Sequence, residues 1–284
     1  MSARRIFITL SLTIAFIAPV ASLRYGDNGA SASFSVHAAS HDPVRATHGM
    51  VASTSRIASE VGRDVMRRGG NAVDAAIATA FALAVTYPAA GNLGGGGFMM
   101  IRLKSGATTA IDYREMAPQA ATRNIYQDKN GNLIKGEGSS TVGYRAAGVP
   151  GTVAGMELAL KKYGSGKLTW VQLIEPARKL AADGFPLTHA LNRGFSSEQK
   201  LLNSYEDSRR IFLNNGKLYN DGDTLRQTEL AQTFARLQRN GAREFYEGET
   251  ARLIVADMKR HNGLMTLEDL KNYVAQERVP LRAT

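Results

Sequence analysis

Ile57, Val61 and Val65 stand at i, i+4 and i+8, which predicts an amphipathic helix that Gly69-Gly70 ends as a C-cap. The next stretch, 72–86, is apolar on nearly every side and predicts a fully buried helix whose alanines let neighbouring elements pack close. Asn71 is placed to cap it, Asp74 sits where a carboxylate favours the N-terminal dipole, and Pro88 stops it. The period then shortens: 98–103 and 108–113 predict two strands around the turn Lys104-Ser105-Gly106-Ala107. A less ordered region follows, with Asp128-Lys129-Asn130-Gly131-Asn132 as an exposed turn.

From Gly151 the helical period returns. A helix over 153–163 ends at Gly164, and Thr169 with Gln172 forms a capping box for a helix over 170–182, closed by Gly184-Phe185-Pro186. Further helices are predicted over 188–203, 229–240 and 250–261, and Thr266 with Asp269 starts a short one through Tyr273. The segment 274–284 alternates like a strand. A buried helix, a strand hairpin and a helical second half predict an α/β (α+β layered) protein. Its sheet is short of strands, so the chain is expected to be incomplete.

The first residues read as an address. Arg4-Arg5 precede an apolar stretch over 6–20, short for a membrane span, and small-residue cleavage sites follow at Val20-Ala21-Ser22, Ala30-Ser31-Ala32 and Val36-His37-Ala38. The sequence does not choose among those sites, and an uncleaved anchor is the competing reading. Residues 27–40 are rich in Gly, Ser and Ala, so 1–40 is assigned to signal peptide and flexible leader and 41–284 to the folded region. Export to a periplasmic or secreted location is the expectation.

Composition narrows the chemistry. The absence of cysteine among 284 residues excludes disulfides, thiolate metal sites and a cysteine nucleophile. The formal charge of +10 is spread in ones and twos, as in Arg67-Arg68 and Lys161-Lys162, with no nucleic-acid-binding motif, so no nucleic-acid partner is expected. The i, i+4 pair His37/His41 falls in the leader, so no metal site is predicted.

Two features stand out. Gly94-Gly95-Gly96-Gly97 lacks the lysine of a phosphate loop and runs helix, glycines, strand, which is the wrong order for a dinucleotide fingerprint. The run either turns the buried helix tightly into the hairpin, by positive φ angles and close backbone approach, or lines a ligand pocket. Arg114, at the far end of the hairpin, offers a planar fork matched to a carboxylate. Spacing alone also allows its neutralisation by Asp112 or Glu115. Asp74 is read as a helix cap, and Thr152, Thr169 and Thr266 sit at helix starts with no base to activate them.

Four motifs in order carry a resemblance: Asn71-Ala72-Val73-Asp74-Ala75-Ala76, the segment from Gly91 through the glycines to Met100, Asp112-Tyr113-Arg114-Glu115-Met116-Ala117-Pro118, and Gly148-Val149-Pro150-Gly151. From about Ala46 onward the chain resembles the γ-glutamyltranspeptidase (glutathione hydrolase) family. That resemblance implies a partial αββα N-terminal nucleophile hydrolase sandwich and γ-glutamyl transfer or hydrolysis on glutathione and related γ-glutamyl amides, with water or amino-acid acceptors. It implies no metal and no organic cofactor. It makes Arg114 the residue that binds the α-carboxylate of the γ-glutamyl group. It also implies a threonine nucleophile, freed by self-cleavage as the first residue of a small subunit, lying downstream of every motif quoted. Thr284 is no substitute, because its amine is held in a peptide bond. No catalytic residue is therefore expected in this chain, which resembles a C-terminally truncated large subunit and is expected to be inactive alone. A cephalosporin-acylase-like member of the same superfamily and a non-catalytic secreted remnant that binds γ-glutamyl compounds or anions are the alternatives.

Overall fold

The computed structural model describes residues 44–282, so the signal segment and the boundary expected at residue 40 lie outside the described residues. Helix α1 (Arg56–Arg67) starts at Ser55, whose hydroxyl accepts from the Ala58 amide. It ends in a Schellman motif, with Gly69 at φ 89° and its amide on the Met66 carbonyl, and the Gly70 amide on the Val65 carbonyl. The deepest face of α1 is Ala58, Gly62 and Val65, with Ile57 and Val61 flanking it.

Helix α2 (Ala72–Thr86) is buried over most of its surface, as its composition predicts, but not fully: Ala72 and Ala76 are exposed and Ala80 and Leu83 half-buried along one stripe. Its capping box is complete: the Asn71 side chain accepts from the Val73 and Asp74 amides (2.9 and 3.0 Å), and Asp74 accepts from the Asn71 amide (2.9 Å). The fully buried Asp74 also accepts from the Ser165 amide, and the Asn71 amide group donates to the Tyr163 carbonyl, so the cap also binds a distant loop. Phe81 meets Trp170 and Phe234 edge-on, at 5.3 and 6.0 Å between centroids.

Strands β1 (Phe98–Arg102) and β2 (Thr108–Asp112) form the hairpin, with Gly106 at φ 87° in its turn. The order β1-β2-β5 is antiparallel throughout, and β5 is only Gln276–Arg278 rather than the longer strand that alternation over 274–284 predicts. Ile101 and Ile111 turn inward to the helices, while Phe98 and Met100 project 60% and 64% exposed from the opposite face.

The second half is helical: α3 (Thr152–Tyr163), α4 (Trp170–Asp183), α5 (His189–Ser197), α6 (Gln199–Asn203), α7 (Glu206–Phe212), α8 (Thr228–Asn240), α9 (Arg243–Glu247), α10 (Glu249–Arg260) and α11 (Leu267–Lys271). The capping box predicted at Thr169 forms, and the helix start predicted at Thr266 proves to be a capping box with Asp269 as well. The helix predicted over 188–203 is two helices, broken at Glu198. Just before the break, the Ser196 and Ser197 hydroxyls bond back to the Asn192 and Gly194 carbonyls and compete with the helical ladder. Helices α7 and α9 and the two-residue ladder β3 (Phe185–Pro186) with β4 (Thr224–Leu225) were too short to leave a period in the sequence. Among the described residues no helix is long and apolar enough to cross a membrane.

Gly62 tests how closely α1 and α2 approach. A Cβ there collides with Thr79 Oγ1 and stands 3.2 Å from the Ala75 carbonyl. Helix propensity alone predicts that Gly62→Ala stabilises by about 1 kcal/mol, whereas overpacking costs about 1–3 kcal/mol. The expected outcome is net destabilisation in thermal or urea unfolding; a raised midpoint contradicts the close-packed α1–α2 seam.

Candidate functional site

The site grows from the end of β2. The Tyr113 and Gly97 backbones exchange hydrogen bonds of 3.0 and 3.2 Å, extending the hairpin one pair beyond its formal end. The chain then leaves the sheet through Arg114 and Glu115, and glycines surround that exit. A Cβ on Gly96 collides with the Tyr113 carbonyl and reaches 2.8 Å from the Glu115 amide. One on Gly155 drives into the Tyr113 ring, one on Gly151 strikes the Tyr273 hydroxyl and the Tyr113 carbonyl, and one on Gly148 comes within 2.9 Å of Glu115 Cβ. The positive φ expected of the glycine run is absent, for none of Gly94 to Gly97 lies in the left-handed region. What these positions need is room. Gly94 faces open space and carries no such constraint.

The same loop caps α3. The N-cap is Gly151, with no side chain to offer, and the Gly95 carbonyl accepts from both the Gly151 and Thr152 amides (2.8 and 3.1 Å). Thr152, expected as a helix-start hydroxyl, is the first helical residue instead and donates to Asn92 Oδ1 at 2.6 Å. The Ala154 amide goes to the Tyr246 hydroxyl (3.1 Å), so the Gly151, Thr152 and Ala154 amides at this helix start are spent on the protein itself.

Arg114 is therefore held by its backbone, and among the described residues its tip meets only the neighbouring Glu115. Its amide donates to Asp112 Oδ1 (3.1 Å) and its carbonyl accepts from the Tyr273 hydroxyl (2.7 Å). Burial pushes the Tyr273 phenol up to about 12, so it remains a donor through neutral pH. Asp112 lies below the usual carboxylate range because it accepts from the Arg114 amide and from the Arg278 guanidinium of β5 (2.5 Å). Asp112 thus holds the arginine's backbone and a neighbouring strand and leaves the Arg114 guanidinium alone. Glu115 approaches Arg114 Nε at 3.3 Å, yet the Arg114 side chain makes no hydrogen bond among the described residues and is 65% exposed.

The guanidinium opens on a cleft of about 560 Å³. One wall runs from Arg114 to Tyr126 and the facing wall from Arg145 to Gly148, joined by the antiparallel bridge Met116↔Val149. Sequence reasoning missed Tyr273, Arg123, Arg145 and the cradle role of Gly155. The spacing Gly148, Gly151, Gly155 was the available signal, for it places small residues on one face of the α3 start. Asp74 and the four motifs lie in one compact unit, but Asp74 serves the start of α2 and does not line this cleft.

Comparison with known proteins agrees with the motif reading. The gamma-glutamyltranspeptidase family model matches residues 58–284. The glutathione hydrolase proenzyme of Pseudomonas sp. (strain A14) is 49% identical over 249 residues, 87% of this chain and 43% of that protein. The crystal structure of Helicobacter pylori gamma-glutamyltranspeptidase matches with a TM-score of 0.81 at 45% identity, over 84% of this chain and 68% of that one. A cephalosporin acylase from Bacillus halodurans matches with a TM-score of 0.73 at 27% identity, over 87% of this chain and 47% of that one. The chain spans about two fifths of the length of the curated relatives it matches.

The glycine cradle makes a paired prediction. Gly96→Ala is expected to lower unfolding stability by about 1–3 kcal/mol, because backbone atoms on the Tyr113 side must move. Gly94→Ala is expected to be neutral within about 0.5 kcal/mol. Equal effects in chemical unfolding would remove the distinction between a packed and an open glycine.

Proposed function

The chain belongs to the γ-glutamyltranspeptidase family, and from that membership we propose that Arg114 binds the α-carboxylate of a γ-glutamyl group. On this reading the protein is part of a precursor that transfers or hydrolyses that group on glutathione and related γ-glutamyl amides. The observation that carries it is an arginine whose backbone is held by Asp112 and Tyr273 while its guanidinium, met only by Glu115 at Nε among the described residues, opens on a cleft. Two parallel hydrogen bonds from that fork would fix the head group and aim its γ-carbonyl at a nucleophile.

The nucleophile is assigned to residues beyond these 284. A threonine Oγ there, with its own α-amine as base, attacks the γ-carbonyl and expels the amine leaving group. Water or an amino acid then takes the acyl group from the threonine. Among the described residues the threonine hydroxyls that meet a carboxylate are Thr109 in a sheet pair, Thr250 at a buried helix junction and Thr266 in a capping box, and none of them lines the cleft. The word "proenzyme" in the name of the relative fits a cleaved precursor. The remainder of such a precursor, its small subunit, is the natural cover for the exposed Phe98 and Met100 face. The basic and apolar leader supports export to a periplasmic or secreted location.

An acylase of the same superfamily is the second reading, favoured by the likeness to the B. halodurans enzyme. Head-group chemistry separates the two. A γ-glutamyl ligand presents an α-ammonium beside its α-carboxylate, while a glutaryl ligand of equal length keeps the carboxylate for Arg114 and lacks the ammonium.

Arg114→Lys is expected to weaken calorimetric binding of a γ-glutamyl amide by roughly 1.5–3 kcal/mol, since lysine keeps the charge and loses the fork. Unchanged affinity, or equal affinity for the 4-aminobutyryl analogue, which lacks the α-carboxylate, counts against the reading. The 284-residue chain alone is expected to release no chromophore from a γ-glutamyl anilide. Turnover abolished by a point change within the chain would place the nucleophile here and overturn that assignment.

A further inference from the structure

The cleft beside Arg114 carries more positive charge than one head group requires. Arg123 and Arg145 line it too, and the one carboxylate on its walls, Glu115, already stands against Arg114. Neither Arg123 nor Arg145 forms an ion pair among the described residues. Arg145 is the sharper case, because its Nε is removed from solvent with no hydrogen-bond partner among those residues. A guanidinium N–H withdrawn from water without an acceptor is costly, and a concave wall of like charge focuses potential on whatever anion enters it. The Arg145 backbone is also fixed, since its carbonyl accepts from the Tyr126 hydroxyl across the cleft (3.2 Å). Ala121, Ile125, Ala147 and Leu264 supply apolar surface between the charges.

We propose that Arg145, with Arg123, forms a second carboxylate subsite in the Arg114 cleft, so that the site selects γ-glutamyl peptides ending in a free carboxylate over neutral γ-glutamyl amides. The inference rests on the assignment of Arg114 to the α-carboxylate. Arg114 then marks one end of the bound molecule, and the arginines farther along the walls mark the other. The peptide carboxylate pairs with the Nη edge of the Arg145 guanidinium, whose Nε side is closed off by protein, and Arg123, more exposed, adds charge at the rim.

The test is calorimetric titration of the 284-residue chain with γ-glutamylglycine and with γ-glutamylmethylamide, which share the head group and differ in the second carboxylate. The wild-type chain is expected to bind the dipeptide on the order of tenfold more tightly, as a charge-assisted hydrogen bond warrants. Arg145→Gln is expected to erase that preference and leave affinity for the amide unchanged. Arg123→Gln, a change at an exposed side chain, is expected to reduce the preference in part and guards against a folding defect in the first variant. Arg114→Gln is expected to weaken both ligands alike.

Equal wild-type affinities with Arg114 dependence intact overturn the second subsite and leave the head-group reading standing. Loss of both ligands in Arg145→Gln together with an unchanged preference in Arg123→Gln also overturns it. If neither ligand binds the wild-type chain, the Arg114 assignment fails and the subsite falls with it. Inorganic phosphate binding as tightly as the dipeptide shows a general anion cleft and refutes the selectivity.

Discussion

The segment Tyr113-Arg114-Glu115 passes so close to other backbone that four glycines must surround it. Gly96, Gly148, Gly151 and Gly155 come from the loop after α2 and from the start of α3, and a Cβ at any of them strikes or crowds this segment. Close packing of backbone on backbone leaves no rotamer freedom to absorb an error. The cradle therefore sets the relative positions of the hairpin, the glycine loop and α3 together. Tyr273, reaching back from just beyond α11, locks the same segment through the Arg114 carbonyl.

Charge distribution follows from that geometry. Asp112 is the nearest candidate to neutralise Arg114, but its oxygens are taken by the Arg114 amide and by Arg278 of the neighbouring strand. Asp112 thus orders the chain around the arginine without hydrogen-bonding its guanidinium, and Glu115 is the carboxylate that stands beside it, 3.3 Å from Nε. The start of α3, a natural anion site elsewhere, is closed here by the Gly95 carbonyl and the Tyr246 hydroxyl. The arginine side chains on the cleft walls remain as the charge available to a ligand.

The helical half is a support for this arrangement. Helix α2 is held at its start by the Asn71–Asp74 box and near its end by Gln227, whose side-chain amide donates to the Val85 carbonyl at 2.8 Å. Asp269, while capping α11, also accepts from the Gln119 amide and so ties the end of the Arg114 motif to that helix. Capping residues in this protein repeatedly serve a second, distant backbone group, and this couples local helix starts to the tertiary frame.

Local chemistry was legible in the sequence. The buried α2, the hairpin, the three capping boxes and the motif around Arg114 each depend on residues within a few positions of one another, where period, hydroxyl placement and turn residues act directly. The short helices α7 and α9, the break at Glu198 and the brief β5 left too little periodicity to read. The sequence also left Arg114 balanced between local neutralisation and ligand binding, and gave the glycines a conformational role. Only the tertiary structure took Asp112 away as a partner for the guanidinium, left Glu115 beside it and gave the glycines a packing role, because it brought Arg278 to Asp112 and Tyr113 against Gly96 and Gly155. Those contacts join residues far apart in the chain, and no spacing rule encodes which backbone will come close enough to exclude a Cβ or which carboxylate will already be taken.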